Sequence, residues 1–244
     1  MAETLSLRAK IEQSPMGAYQ WMIVAMAAIM NLLDGFDVLA LAFTATAIQN
    51  EFGLTRIELG YLLSAGLFGM AAGSLFLAPL ADKIGRRQLL LMAVLLSTIG
   101  MLGSAFISQY QWLGFWRVIT GLGVGGILVG TNVITSEYSS RKWRSFAISV
   151  YAAGFGVGAV LGGMFAVMLQ GEYGWRSVFL AGAILTGLFL VILFIWLPES
   201  IDFLTTKQPK NAEVRLNLIA KKIGLAGDWK LPAKTEKVKT KLPI

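Results

Sequence analysis

WMIVAMAAIMNLLDGFDVLALAFTATAI, residues 21–48, is a long oily run that carries two carboxylates, Asp34 and Asp37, near its middle. About 20 consecutive apolar residues cross the roughly 30 Å of hydrocarbon in a bilayer, so a run of this length reads as a transmembrane helix. It is too long for the apolar core of a cleaved signal peptide, and five similar runs follow it. They lie at about 59–81, 89–107, 112–135, 145–170 and 177–197. The expected fold class is an all-α membrane protein with six transmembrane helices.

Composition points the same way. Of the 244 residues, 56% are hydrophobic and only 14% are charged, and the mean hydropathy is +0.66. Soluble domains carry about a quarter charged residues, so the medium that covers this surface is the lipid bilayer. The 27 glycines fit helices that pack closely in a membrane. The absence of Cys and His removes disulfides, thiolate chemistry, the usual metal ligand and the usual general base. No metal, cofactor or enzymatic activity is expected. The net charge of +7 does not point to nucleic acid, because the basic residues sit in a polar tail and in short gaps between oily runs.

Those gaps set the orientation. One side collects Arg8 and Lys10, then Lys83, Arg86 and Arg87, then Arg141, Lys142 and Arg144, then ten Lys and Arg residues after Trp196. The other side has only Arg56 and Arg176. The positive-inside bias then puts both termini in the cytoplasm. The expected organisation is a cytoplasmic arm at 1–18, a six-helix bundle at 19–197 and a cytoplasmic segment at 198–244. In that last segment, Val214, Leu218, Ile219 and Ile223 beside Lys221 and Lys222 fit a short amphipathic helix at the membrane surface, or a solvated linker. From Asp228 onward the chain reads as disordered.

Asn31, Asp34 and Asp37 recur every three residues, which gathers them on one polar stripe of a helix. An ionised Asp at a helix centre costs about 2.5–3.5 kcal/mol on insertion scales. Residues held at that cost face a bundle interior or a watery cavity, where they bind ions or substrate or carry protons. The structural alternative is a helix break at Asp34-Gly35, which at mid-membrane depth itself needs a cavity. Arg117 lies near the outer end of its span. It either snorkels outward or faces the cavity and balances Asp34, Asp37 or an anionic substrate. Glu137, at the other end of the same span, is either a solvated helix-end acid or a gating group.

Between the second and third spans stands APLADKIGRRQ, residues 78–88. Charge bias explains the basic residues but not Asp82, or Gly85 with its freedom for a tight turn. An acid at that place suits pairing with a neighbouring helix to latch one conformation. In the fourth span Gly121, Gly123 and Gly126 formally match a dinucleotide-binding fingerprint, but no strand precedes them and the run is transmembrane. Small residues at three- and four-residue spacing, Gly121 and Gly125 among them, read instead as a face for close helix packing, as do Gly154, Gly158 and Gly162 in the fifth span.

LADKIGRR at 80–87 resembles the signature loop of the major facilitator superfamily. RVITGLGVGG at 117–126 resembles its fourth-helix motif, and LPES at 197–200 its sixth-helix ending. DGFD at 34–37 and TSEY at 135–138 are similar to the aromatic acid:proton symporters within that superfamily. The resemblance implies that this is the N-terminal half of a twelve-span fold, with Asp34 and Asp37 needed for transport. It assigns Asp82, Gly85, Arg86 and Arg87 to conformational switching, and Arg117 to coupling or substrate binding. Ala78 stands where the signature loop usually begins with Gly. Ala159 stands where drug antiporters of the superfamily place Pro, which argues against antiport. The implied function is import of small, aromatic carboxylates coupled to protons across a bacterial inner membrane, with a C-terminal six-helix half as partner. The alternative is a non-transporting truncated or split half.

Overall fold

A computed structural model describes residues 6–225, 227 and 229–231. Among these the chain forms nine helices: α1 (Leu7–Gln13), α2 (Ala18–Phe52), α3 (Arg56–Ile84), α4 (Arg86–Ala105), α5 (Tyr110–Tyr138), α6 (Arg144–Tyr173), α7 (Arg176–Trp196), α8 (Ile201–Lys207) and α9 (Ala212–Ile223). Six of them, α2 to α7, are long and apolar enough to cross a membrane.

α2 and α3 outrun their oily runs because their starts are set by caps. Thr55 accepts from the Glu58 N–H, and Glu58 accepts from the Thr55 N–H at 2.8 Å, so α3 starts before its first apolar stretch. Gln20 likewise accepts from the Gly17 N–H at 2.8 Å and starts α2. The helix break considered at Asp34-Gly35 does not occur, since α2 runs through it without interruption.

Packing follows the glycines. A Cβ on Gly154 would meet the Ala28 carbonyl of α2, and one on Gly158 would run into the Leu32 carbonyl. Gly162 accommodates the Phe36 ring, and Gly35 on α2 admits the Phe155 carbonyl of α6 in return. The same exchange joins α5 to α3. Gly121 and Gly125 take the carbonyls of Gly66 and Met70, while Gly69 and Gly73 take those of Val118 and Leu122. Gly123 turns the other way, onto Ala93 of α4. The result is that α2 lies along α6, α5 lies between α3 and α4, and α4 leans on α7. Among the six, α3 and α6 bury the least of themselves and α2 and α5 the most.

Two apolar clusters fill the bundle. One contains Ile23 to Met30 of α2 with Leu90, Ile134, Tyr138, Leu193 and residues of α1, α8 and α9. The other contains Phe36 to Ile48 of α2 with Met101, Leu113, Trp175 and Phe179. Asn31 and Asp34 fall at the seam between them.

The end of the bundle that holds the first cluster is strapped. Leu7 and Ile11 of α1 are buried. Arg8 pairs with Asp202 on α8, Glu12 accepts from Arg144 at 2.6 Å, and the Glu12 carbonyl accepts from the Arg141 N–H at 3.0 Å. The N-terminal arm is thus a docked helix over residues 7–13. The segment at 212–223 is a helix too, but its buried face is Ala212, Leu216, Ile219 and Ala220, while Val214 and Leu218 stand exposed. That corrects the expected stripe: the bundle claims one face and leaves part of the apolar set outward. The disorder expected from Asp228 onward lies outside the described residues except at 229–231, where the Trp229 N–H donates to Asn217 Oδ1 at 3.0 Å.

Candidate functional site: buried charges between the clusters

Asp37 sits on α2 where α4, α5 and α7 meet it, and all of its oxygens are engaged. Arg117 of α5 donates from Nη1 to Asp37 Oδ1 at 3.2 Å and from Nη2 to the Asp37 carbonyl at 2.8 Å. Ser97 of α4 donates to Asp37 Oδ2 at 2.5 Å. The Arg117 guanidinium also lies over the Phe179 ring of α7, 5.7 Å from its centre. Asp37 and Arg117 are 0% and 3% exposed, so Arg117 turns into the bundle and does not snorkel. Among the described residues it is the one buried cation. A buried ion pair of this kind is weak grounds for stability, because desolvation offsets much of the Coulomb gain.

Asp34, one turn earlier and 2% exposed, differs completely. It makes no hydrogen bond or ion pair within the described structure, and its Oδ2 is fully buried and unpartnered. Asn31 donates from Nδ2 to the Tyr151 carbonyl of α6 at 2.9 Å, leaving its Oδ1 buried without a donor. Two acceptors therefore stand orphaned on successive turns of one stripe. Native interiors rarely leave such groups unpaired, so a proton, an ion or an ordered water is the natural partner for them.

The stripe adjoins a groove. Val38, Leu41, Gly66, Met70, Arg117 and Gly121 are among the residues that line it between α2, α3 and α5. Arg117 is thus the link between the Asp37 pair and that opening. Its walls are otherwise apolar, which suits the ring or chain of an organic anion whose charge meets the guanidinium.

The proposed gating residues separate into two groups. Asp82 pairs with Arg86 at 2.7 Å, with the Asp82 side chain 64% exposed, and both border a cavity that Glu137, Asp202 and Lys207 share. Glu137 is buried, so it is not a solvated helix-end acid. Its carboxylate takes the Ser200 hydroxyl and the Ile201 N–H, both at 2.9 Å, at the start of α8. Gly85 and Arg87 face elsewhere. Arg87 donates to the carbonyls of Leu197 and Phe194 at the end of α7, at 2.8 and 2.5 Å. Glu199 accepts the Arg87 N–H at 3.0 Å, and any Cβ on Gly85 would strike that carboxylate. These contacts clamp α4 to α7.

Sequence reasoning missed Ser97, Gly35 and the role of Glu199. Ser97 was findable as a hydroxyl in the middle of an oily run. Gly35 was read only as a possible break, and Glu199 only as part of a motif.

Residues 27–236 match the sequence profile of the Major Facilitator Superfamily. The 4-hydroxybenzoate transporter PcaK of Pseudomonas putida is 34% identical over 218 residues, which are 89% of this chain and 49% of that protein. A gallate transporter of Pseudomonas putida is 35% identical over 204 residues, covering 84% of this chain and 45% of its own length. The chain thus spans about half the length of these curated relatives. Among solved structures, the proton:xylose symporter XylE bound to 6-bromo-6-deoxy-D-glucose superimposes with a TM-score of 0.76 at 22% identity. That match covers 86% of this chain and 50% of XylE, and it speaks to the fold.

Proposed function

The chain belongs to the major facilitator superfamily, and we propose that it supplies one six-helix half of a proton-coupled importer of aromatic carboxylates. The relatives at 34% and 35% identity, named for transport of 4-hydroxybenzoate and gallate, support the substrate class. In this reading α2 and α5 form one wall of the path, and the faces of α3 and α6 left open meet a second six-helix half that supplies the other. By itself the chain offers one wall only and does not transport. The end that carries α1, α8 and α9 is cytoplasmic, and the bilayer is the bacterial inner membrane, as the distribution of Lys and Arg supports.

The observation that carries the proposal is the contrast between the two acids. Asp37 has its counter-charge in Arg117 and its second oxygen on Ser97. Asp34 has neither, and beside it on the stripe Asn31 Oδ1 lacks a donor. One proton on Asp34 supplies the missing charge and a hydrogen for an acceptor nearby. Asp34 is therefore the proton carrier, Arg117 the anchor for the substrate carboxylate, and Asp37 with Ser97 holds Arg117 in place. A carboxylate enters the cell against an inside-negative potential of about 2.3 kcal/mol per charge per 100 mV, which the accompanying proton cancels.

The test is uptake of radiolabelled 4-hydroxybenzoate and gallate by cells producing the complete transporter. Asp34→Asn is expected to lose accumulation against a gradient while keeping exchange of labelled for unlabelled substrate. Accumulation at the unaltered level in that variant rules out Asp34 as the carrier.

A further inference from the structure

At the end of the bundle away from the substrate groove, α7 stops and α9 docks beside the first turn of α2. An open groove lies there, lined by Tyr19, Arg87, Trp196, Arg215, Leu218 and Lys222 among others. Arg215 and Lys222 are two turns apart on α9 and so project from the same face, with Leu218 between them. Arg215 makes no ion pair within the described structure. Lys222 has only the Tyr19 ring beneath it, its ammonium 5.3 Å from the ring centre.

The other charges around the groove are already committed. Arg87 is bound to the Leu197 and Phe194 carbonyls. Glu199 accepts the backbone N–H groups of Arg87 and Ser200, both at 3.0 Å, and among the described residues it forms no ion pair with Arg215 or Lys222. Next to these two cations the last turn of a membrane-spanning helix bares Phe194, Ile195 and Trp196, and α9 adds Val214 and Leu218. A pair of unneutralised cations over an exposed apolar edge is the pattern of an amphipathic lipid, with phosphate above and acyl chain below. A soluble anion uses only the cations and leaves the apolar edge in water. A zwitterionic headgroup brings its own ammonium to a site already positive.

We propose that this groove binds the headgroup of an anionic phospholipid, phosphatidylglycerol in chemistry, with its phosphate on Arg215 and Lys222 and its acyl chain along Ile195 and Leu218. The lipid seats α9 on the bilayer surface and ties it to the ends of α2 and α7. Val214 and Leu218, unexplained by packing against the bundle, then face acyl chains. The site is independent of the transport reading, since it uses neither Asp34 nor Arg117.

The test is native mass spectrometry of the full chain released from nanodiscs of equal parts phosphatidylglycerol and phosphatidylcholine. Two cations near the surface predict retention of phosphatidylglycerol over phosphatidylcholine on the order of tenfold. Arg215→Gln with Lys222→Gln is expected to erase that preference, and Arg215→Lys with Lys222→Arg to keep it. Both positions are exposed, so the folded chain tolerates either pair. Equal retention of the two lipids by the unaltered chain overturns the proposal, as does an undiminished preference in the glutamine variant. Displacement of the lipid by millimolar glycerol phosphate also overturns it, because the groove is then a site for soluble anions.

Discussion

Arg117 and Ser97 donate to the Asp37 carboxylate, and Arg117 donates also to the Asp37 backbone carbonyl, while among the described residues Asp34 one turn away has no hydrogen-bond partner. Removing only one partner of the Asp37–Arg117 pair strands a buried charge, which destabilises by about 3–5 kcal/mol. Thermal unfolding in detergent is therefore expected to fall sharply for Arg117→Gln and for Asp37→Asn, and to recover in the double variant. Additive losses in the double variant contradict the pairing. Ser97→Ala, which removes a donor from a charged acceptor, is expected to lower stability by about 1.5–3 kcal/mol in the same measurement. The stripe of Asn31, Asp34 and Asp37 was legible because a helix repeats every 3.6 residues. The difference between the two acids was not, because it depends on which neighbouring helix faces each one. Spacing within α2 carries no information about Ser97 or Arg117, which lie 60 and 80 residues away.

Helix contacts in this bundle are decided by backbone meeting backbone. Gly158 has no room for a side chain beyond the Leu32 carbonyl of α2, whereas Gly156 on the same helix has nothing within 4 Å. Gly158→Val is thus expected to separate α2 from α6 and cost about 1–3 kcal/mol or more. Gly156→Ala is expected to be neutral or to gain up to about 1 kcal/mol from helix propensity. Folded yield after size-exclusion chromatography separates the two. The small-residue faces were legible as spacing, but their partners were not, and Gly35 was hidden because a glycine after Asp also reads as a turn. The strap α1 went unread for a different reason: seven residues with two apolar side chains have no periodicity to detect. Its hold is electrostatic as well as apolar. The Arg144 guanidinium bonded to Glu12, with Arg8 and Arg141 close by, keeps the Glu12 carboxyl below the usual carboxylate range. A lowered value in the folded state contributes stability that is present above the ordinary range and is lost as pH falls through the lowered one. The side chain is a third exposed and screened by solvent, so the effect is below about 1 kcal/mol. The protection of α1 amides, corrected for the pH dependence of intrinsic exchange, is expected to fall under acid, and to fall less in Glu12→Gln.

At the scale of the whole molecule, the fold class came from composition and run length, which the bilayer imposes directly on the sequence. What composition leaves out is the division of labour at the strapped end. Gly85, Arg87 and Glu199 join α4 to α7 within this bundle, whereas the Asp82–Arg86 pair, with Asp82 exposed, lies outside that clamp. On the proposed reading, rocking of one half against another would leave the α4–α7 clamp intact and remake contacts at Asp82. Coupling of that motion to a proton is open to measurement in proteoliposomes of the complete transporter with a pH-sensitive dye inside. With no gradient imposed, adding 4-hydroxybenzoate outside is expected to acidify the interior as the acid enters. Asp34→Asn is expected to abolish that acidification while substrate exchange continues. Acidification at the unaltered rate in Asp34→Asn, or uptake in the unaltered protein with no proton movement, contradicts the account.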